Sequence, residues 1–160
     1  MEKIESFKIN HDLLLPGLYI SRIDDNVVTY DIRTRIPNKG DYMTNAAMHT
    51  VEHLFATYVR NSARGNEIIY FGPMGCRTGF YLLVKDSLIP KDVISLVVET
   101  FSFILSFEGD IPGAERKECG NYLEHDLEAA KKEARDMLEV LPNWTEANLK
   151  YFTEEENCDV

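Results

Sequence analysis

The stretch His49-Thr50-Val51-Glu52-His53 restricts the fold of this chain more than any other. Imidazoles four positions apart stand one above the other if the backbone between them is helical, and stacked in that way they can share one metal ion. Glu52 then lies close enough to reach a group bound to that metal without being a ligand itself. A metal with a carboxylate beside it is suited to moving protons at a polarised oxygen. The order H-x-x-E-H is the inverted form of H-E-x-x-H. With 4 His and 27 Asp+Glu in 160 residues, this spacing is expected about 0.02 times by chance. The flanks agree with a helix: Thr44 or Asn45 supplies an N-cap, Met48, Val51, Phe55 and Tyr58 recur at helical spacing, and Gly65 lies beyond the end.

Around that helix the pattern predicts strands. Residues 27–36 alternate, with Val28, Tyr30, Ile32 and Ile36 on one face and Asp31, Arg33 and Arg35 on the other, which reads as a half-exposed strand. Leu18 to Ile23 is its hairpin partner, turned by Asp24-Asp25-Asn26. Residues 67–71 and 79–84 read as two more strands joined by a Gly-rich turn, and 91–107 as a largely buried helix. A third helix is expected over 121–141, with Leu123, Leu127, Ala130, Ala134, Met137 and Leu141 on its apolar stripe. Residues 142–160 are polar and acidic and predict a short helix and a variable tail. Strands and helices do not alternate as βαβ units, and no linker divides the chain. The expectation is an α+β fold over 1–160 as one domain, an antiparallel sheet packed against helices with the metal site on the HxxEH helix.

Bulk properties narrow the function. The net charge is −10 with no basic stripe, which argues against nucleic acid as a partner. The most apolar segment, Val93 to Phe107, is too short to cross a bilayer and contains Glu99. No basic start followed by an apolar run is visible, and three widely spaced cysteines do not form a disulfide framework. A cytoplasmic location with free thiols is expected.

A catalytic site of this kind normally has three protein ligands and one open position. Beside His49 and His53, the candidates for the third are His11, His125, Cys76, Cys119, Cys158 and many carboxylates. Cys119 precedes Gly120 just before the third helix, and a thiolate there would partly neutralise the metal. Cys76 sits between Gly72, Gly75 and Gly79, a loop that leaves its side chain accessible. A cation nearby would make such a thiol a usable acid and base at neutral pH.

Several separated stretches together resemble one family. HTVEH at 49–53, GPMGCRTGFY at 72–81 and IPGAERKECGNYLEHDL at 111–127, with ESFKINH at 5–11 and YDIRTRIPNKG at 30–40, are similar to S-ribosylhomocysteine lyase, the synthase of the autoinducer-2 precursor. The resemblance runs in order up to about residue 140. It implies an α+β homodimer with the active site at or near the subunit interface. It implies one ferrous iron per subunit, replaceable by zinc or cobalt, on His49, His53 and Cys119. It implies cleavage of S-ribosylhomocysteine to homocysteine and 4,5-dihydroxy-2,3-pentanedione, with Cys76 and Glu52 moving protons and Ser6, His11 and Arg33 contacting substrate. Recycling of homocysteine and use of the product as a signal follow from the same resemblance. Many relatives carry an acid and a serine where this chain has Tyr70 and Gly72. Two other readings of HxxEH are a small metallopeptidase, with Glu52 activating a metal-bound water, and a non-catalytic module closed by four ligands.

Overall fold

The architecture follows from a two-residue alternation that switches to helical spacing and back. A computed structural model describes residues 2–152. Its strands are β1 (Gly17–Asp24), β2 (Val27–Arg33), β3 (Ile68–Pro73) and β4 (Gly79–Lys85). Its helices are α1 (Asn45–Asn61), α2 (Pro90–Ser106) and α3 (Leu127–Val140). The strands form one antiparallel sheet in the order β1-β2-β4-β3. This is the expected α+β layering, with the helices on one face.

Register decides what each face carries. Leu18 pairs with Ile32, which pairs with Phe80, while Ile20, Tyr30, Leu82 and Phe71 form the next row. These side chains belong to the apolar core that the helices complete with Val51, Leu54, Phe55, Val97, Phe101 and Ala134. Phe55 stacks on Phe71 at 4.0 Å between ring centres and meets Phe101 edge-on, which locks α1 between sheet and α2. Truncating a ring so placed costs about 3–5 kcal/mol. Pro90 at the first position of α2 and Thr44 at the N-cap of α1, accepting from the Ala47 N–H at 3.1 Å, set the helix starts.

Two expectations need correction. The strand read over 27–36 ends at Arg33, and its polar face is not half-exposed: Asp31 is 0% and Arg33 2% exposed. The cause is the segment after α3, which wraps the β1 edge. Trp144 donates from Nε1 to the Leu18 carbonyl at 2.8 Å, Leu149 enters the core, and Tyr151 reaches the outer face to stack on Tyr19 and bond Asp31. That segment also shields an otherwise open edge strand. The short helix expected there is present as a single turn, Glu146–Leu149, and the remainder of the expected tail, with Cys158, lies outside the described residues.

The second correction concerns the third helix. It begins at Leu127, not near 121, and Leu123 is 79% exposed. Asp126 is extended and its carboxylate accepts the Ala129 N–H at 2.9 Å, so it caps the helix and stops it from growing backward. Upstream, the chain from Ile111 to Glu124 is a run of single turns closed by local backbone bonds. Among the described residues no helix is long and apolar enough to cross a membrane.

Candidate metal centre and proton-transfer site

Helix α1 presents His49 and His53 on one face, as their spacing requires, with ring centres 4.6 Å apart and planes nearly perpendicular at 89°. The run of turns before α3 supplies the rest. Cys119 Sγ lies 3.3 Å from His49 Nε2. His49 Nδ1 is 2.8 Å from the Glu124 carbonyl and His53 Nδ1 2.7 Å from the Pro112 carbonyl. A carbonyl only accepts, so both Nδ1 atoms carry the proton and both Nε2 lone pairs are left for the cluster interior. Gly113 makes the second bond possible. Its φ of +72° suits glycine, and a Cβ there would press on His53 Nδ1 at 3.1 Å.

His125 joins the same cluster, and the potential ligand atoms of His49, His53, Cys119 and His125 all lie within 4.8 Å of one another. Its Nδ1 is 3.1 Å from Thr50 Oγ1. That hydroxyl already donates to the Ala46 carbonyl at 2.9 Å and accepts the Asp126 N–H at 2.9 Å, so the imidazole is the donor. Its Nε2 is buried without a partner. The His125 pKa is pushed down to about 4, by burial first and then by His49 and His53, so the ring is neutral at pH 7. An orphaned buried lone pair among inward-turned imidazoles and one thiol fits a cation at their centre. The donor set suits zinc, iron or cobalt and disfavours magnesium or calcium. The rings of His49 and His125 stack at 4.1 Å and 19°. His53 meets both of these rings at a steep angle, 89° to His49 and 71° to His125.

Beside this cluster lies a cleft of about 270 Å³ lined by His49, Glu52, Met48, Asn45, Pro73, Asn121 and Glu124. It gathers helix α1, the turns that carry Asn121 and Glu124, and the start of the Cys76 turn in one place. That turn is tightly built: the Met74 N–H bonds the Gly79 carbonyl at 2.9 Å, the Arg77 N–H bonds Met74 at 3.0 Å, and Arg77 takes a φ of +61°. Strain of this kind costs about 1–3 kcal/mol and persists where surrounding structure enforces it. The result is an exposed Cys76 whose Sγ lies 3.1 Å from the hydroxyl of buried Thr78.

Behind Thr78 stands Arg33, which donates from Nη1 to Thr78 Oγ1 at 2.7 Å and grips Asp31 with Nε and Nη2 at 3.1 and 2.6 Å. Tyr151 donates to the same Asp31 at 2.8 Å. Burial works against the guanidinium charge, yet Asp31, Cys76 and Tyr151 outweigh it and hold its pKa above the ordinary value. Burial, with Asp31 next, pushes the Tyr151 phenol up in turn. Arg33 and Asp31 thus form a salt bridge that is buried and not at the surface. Asp31, Thr78 and Tyr151 were not legible as site residues. The only signal was a carboxylate, a hydroxyl and a phenol without an assigned task.

Ser6 and His11 are not drawn into this constellation within one chain. Ser6 lines a separate cleft of about 310 Å³ on the outer sheet face, with Ser21, Arg22, Thr29, Tyr70, Tyr81 and Leu83. His11 Nδ1 sits 2.9 Å from the Ile9 carbonyl of its own segment. Tyr70 and Gly72 act as a pair: the phenol of Tyr70 fills the volume a Cβ at position 72 would need.

The chain matches the family model described as S-Ribosylhomocysteinase (LuxS) over residues 4–148. It is 51% identical over 156 residues to the S-ribosylhomocysteine lyase of Borreliella afzelii, covering 94% of this chain and 99% of that one. It is 49% identical over 161 residues to that of Phocaeicola vulgatus, with 97% and 100% covered. The lyase of Finegoldia magna is 47% identical over 155 residues, with 94% and 99% covered.

Proposed function

The chain belongs to the S-ribosylhomocysteine lyase family, and on that premise we propose that it cleaves S-ribosylhomocysteine to homocysteine and 4,5-dihydroxy-2,3-pentanedione. The observation that carries the proposal is the convergence of His49, His53 and Cys119 beside a cleft that also holds Glu52. These three are the assigned ligands. His125, whose ring stacks on His49 and whose buried Nε2 lies in the same cluster, is not among the three that the family resemblance assigns. The metal assigned is ferrous iron, one per subunit, with zinc or cobalt able to replace it. When bound, it supplies Lewis acidity toward the sugar oxygens.

The chain's own groups then move protons. The carbonyl must pass from C1 to C2 to C3 of the ribose before the thioether is β to it. Each shift takes a proton from carbon and returns one to the neighbouring carbon, with the oxygens exchanging theirs. Cys76 and Glu52 are assigned these transfers. Removal of the C4 proton then expels the homocysteine thiolate from C5, and the thiolate takes up a proton, so no oxidant or reductant is consumed. Arg33, to which the resemblance assigns a substrate contact, is 2% exposed and is placed instead behind the thiol: its guanidinium is held by Asp31 and Thr78 and sets positive charge near the Cys76 sulfur. Ser6 and His11 are assigned substrate contacts. The separate cleft that Ser6 lines favours delivery across the interface of a homodimer. Exposed apolar side chains suited to such an interface are Ile4 and Phe7 beside Ser6, and Ile69 and Tyr70 on the β3 edge. Free Cys76 and Cys119 are in keeping with the cytoplasm. Use of the product as a signal is part of the same proposal.

The test is thiol release from S-ribosylhomocysteine by anaerobically purified, ferrous-loaded protein, beside Cys76→Ala and Glu52→Gln. Turnover by the parent, with loss in both variants at unchanged metal content, supports the assignment. A folded, metal-loaded parent that releases no thiol overturns it. Casein hydrolysis by the same preparation would favour the peptidase reading instead.

A further inference from the structure

We propose that Thr78 is a positioning residue whose hydroxyl aims the Cys76 sulfur by a hydrogen bond and links it to Arg33. This rests on the reading that Cys76 transfers protons. Thr78 Oγ1 lies 2.7 Å from Arg33 Nη1 and 3.1 Å from Cys76 Sγ. A guanidinium has no acceptor, so toward Arg33 the hydroxyl can only accept. Its single proton is therefore free to point at the sulfur, its one other partner among the described residues. A thiolate can only accept, so the arrangement is complete when Cys76 is charged. When Cys76 carries a proton, the same O–H can still reach a sulfur lone pair, but as a neutral and weaker bond than the one it gives a thiolate.

The surroundings fix that geometry. Thr78 is 3% exposed, and its carbonyl takes the N–H groups of Thr34 and Arg35 at 2.9 and 3.1 Å. A Cβ on Gly79 would strike the Ile32 carbonyl, so β4 starts in close contact with β2 and carries Thr78 against Arg33. Cys76 is exposed and has no such support of its own. Its sulfur is aimed by this hydroxyl, and Arg33 is kept off the sulfur itself, free for Asp31 on its other edge. Replacing Thr78 with a residue lacking the hydroxyl leaves both Arg33 Nη1 and the sulfur without their shared partner.

The variants are Thr78→Val, which keeps the shape and removes the hydroxyl, and Thr78→Ser, which keeps the hydroxyl. Two readouts are taken, the first on zinc-loaded protein, after circular dichroism and metal content confirm folding. The first is the iodoacetamide rate at pH 7, mapped to the Cys76 peptide by mass spectrometry, which needs no substrate. Loss of a hydrogen bond to a charged group predicts a rate about 10- to 100-fold lower in Thr78→Val and near the parent's in Thr78→Ser. The second, on cobalt- or iron-loaded protein, is thiol release, where kcat falls in Thr78→Val with KM little changed, and Thr78→Ser restores it. Equal alkylation of Cys76 in the parent and Thr78→Val overturns the inference, as does a Thr78→Ser variant that falls as far as Thr78→Val. Should Thr78→Val itself not fold, Thr78→Ser and Thr78→Ala are compared in its place by the same criteria. If alkylation shifts as expected but the parent releases no thiol, the lyase assignment fails and the role of Thr78 in holding the sulfur stands.

Discussion

Thr50→Val tests whether helix α1 and the turns before α3 are joined where the geometry indicates. Thr50 is fully buried on α1. Its hydroxyl accepts the Asp126 N–H at 2.9 Å and the His125 Nδ1 proton across 3.1 Å. Valine has the same shape and can accept neither. Asp126 is exposed, so water recovers part of its loss, and that bond counts for about 1 kcal/mol. The imidazole N–H is set against the helix and counts for about 1–2 kcal/mol. The hydroxyl's own bond to the Ala46 carbonyl matters little, because that carbonyl keeps its helical partner. The extra methyl returns less than about 1 kcal/mol. The net loss is about 2 kcal/mol, or a midpoint about 1 M lower in urea and about 4–8 °C lower in heat. The assay is urea unfolding of chelator-treated protein, followed by circular dichroism and by the fluorescence of Trp144, the one tryptophan. Zinc affinity, measured separately, should fall about tenfold as the Glu124 and His125 segment loosens. A Thr50→Val protein within about 0.5 kcal/mol of the parent at unchanged slope would refute the reasoning. So would a Thr50→Ser protein destabilised as much as Thr50→Val.

Three further outcomes are expected. Gly113→Ala combines a strained φ of +72° with a Cβ pressed on His53 Nδ1, and should weaken zinc binding about 10- to 100-fold in a competition titration while the fold survives. Gly72→Ala should cost about 1 kcal/mol in the parent, where Tyr70 fills the space, and nothing in a Tyr70→Ala background, so a double-mutant cycle reads the coupling. Burial, with the Glu146 carboxylate next, pushes the Tyr30 phenol from 10.0 up to about 12. Between those values the folded state binds more protons than the unfolded one. The stability contribution is therefore complete below about pH 10 and lost as pH rises toward about 12. Tyr30→Phe should flatten that alkaline decline in urea midpoints, and an unchanged slope would count against the burial argument.

The HxxEH pentapeptide was readable because a helix converts sequence spacing into geometry through a fixed period, and only five residues are involved. The strands were readable for the same reason at period two. The third helix was misjudged because Leu123 falls on the apolar stripe by spacing alone. The capping bond of Asp126 and the use of the Glu124 carbonyl by His49 decide otherwise. Arg33 was placed on the correct face of its strand but not at the correct depth, since the cover comes from Tyr151, far along the chain.

The sequence by itself determined the helix that holds His49 and His53, the alternation that builds the sheet, and the family to which the chain belongs. Those depend on local periods and on motifs in fixed order. Only the tertiary structure decided that Thr78 joins Arg33 to Cys76, and that Thr50 secures His125. It alone decided that two backbone carbonyls orient the paired imidazoles. Each of these depends on atoms brought within about 3 Å by elements distant in sequence, and hydrogen bonding at that range is too short and too directional for any local pattern to encode.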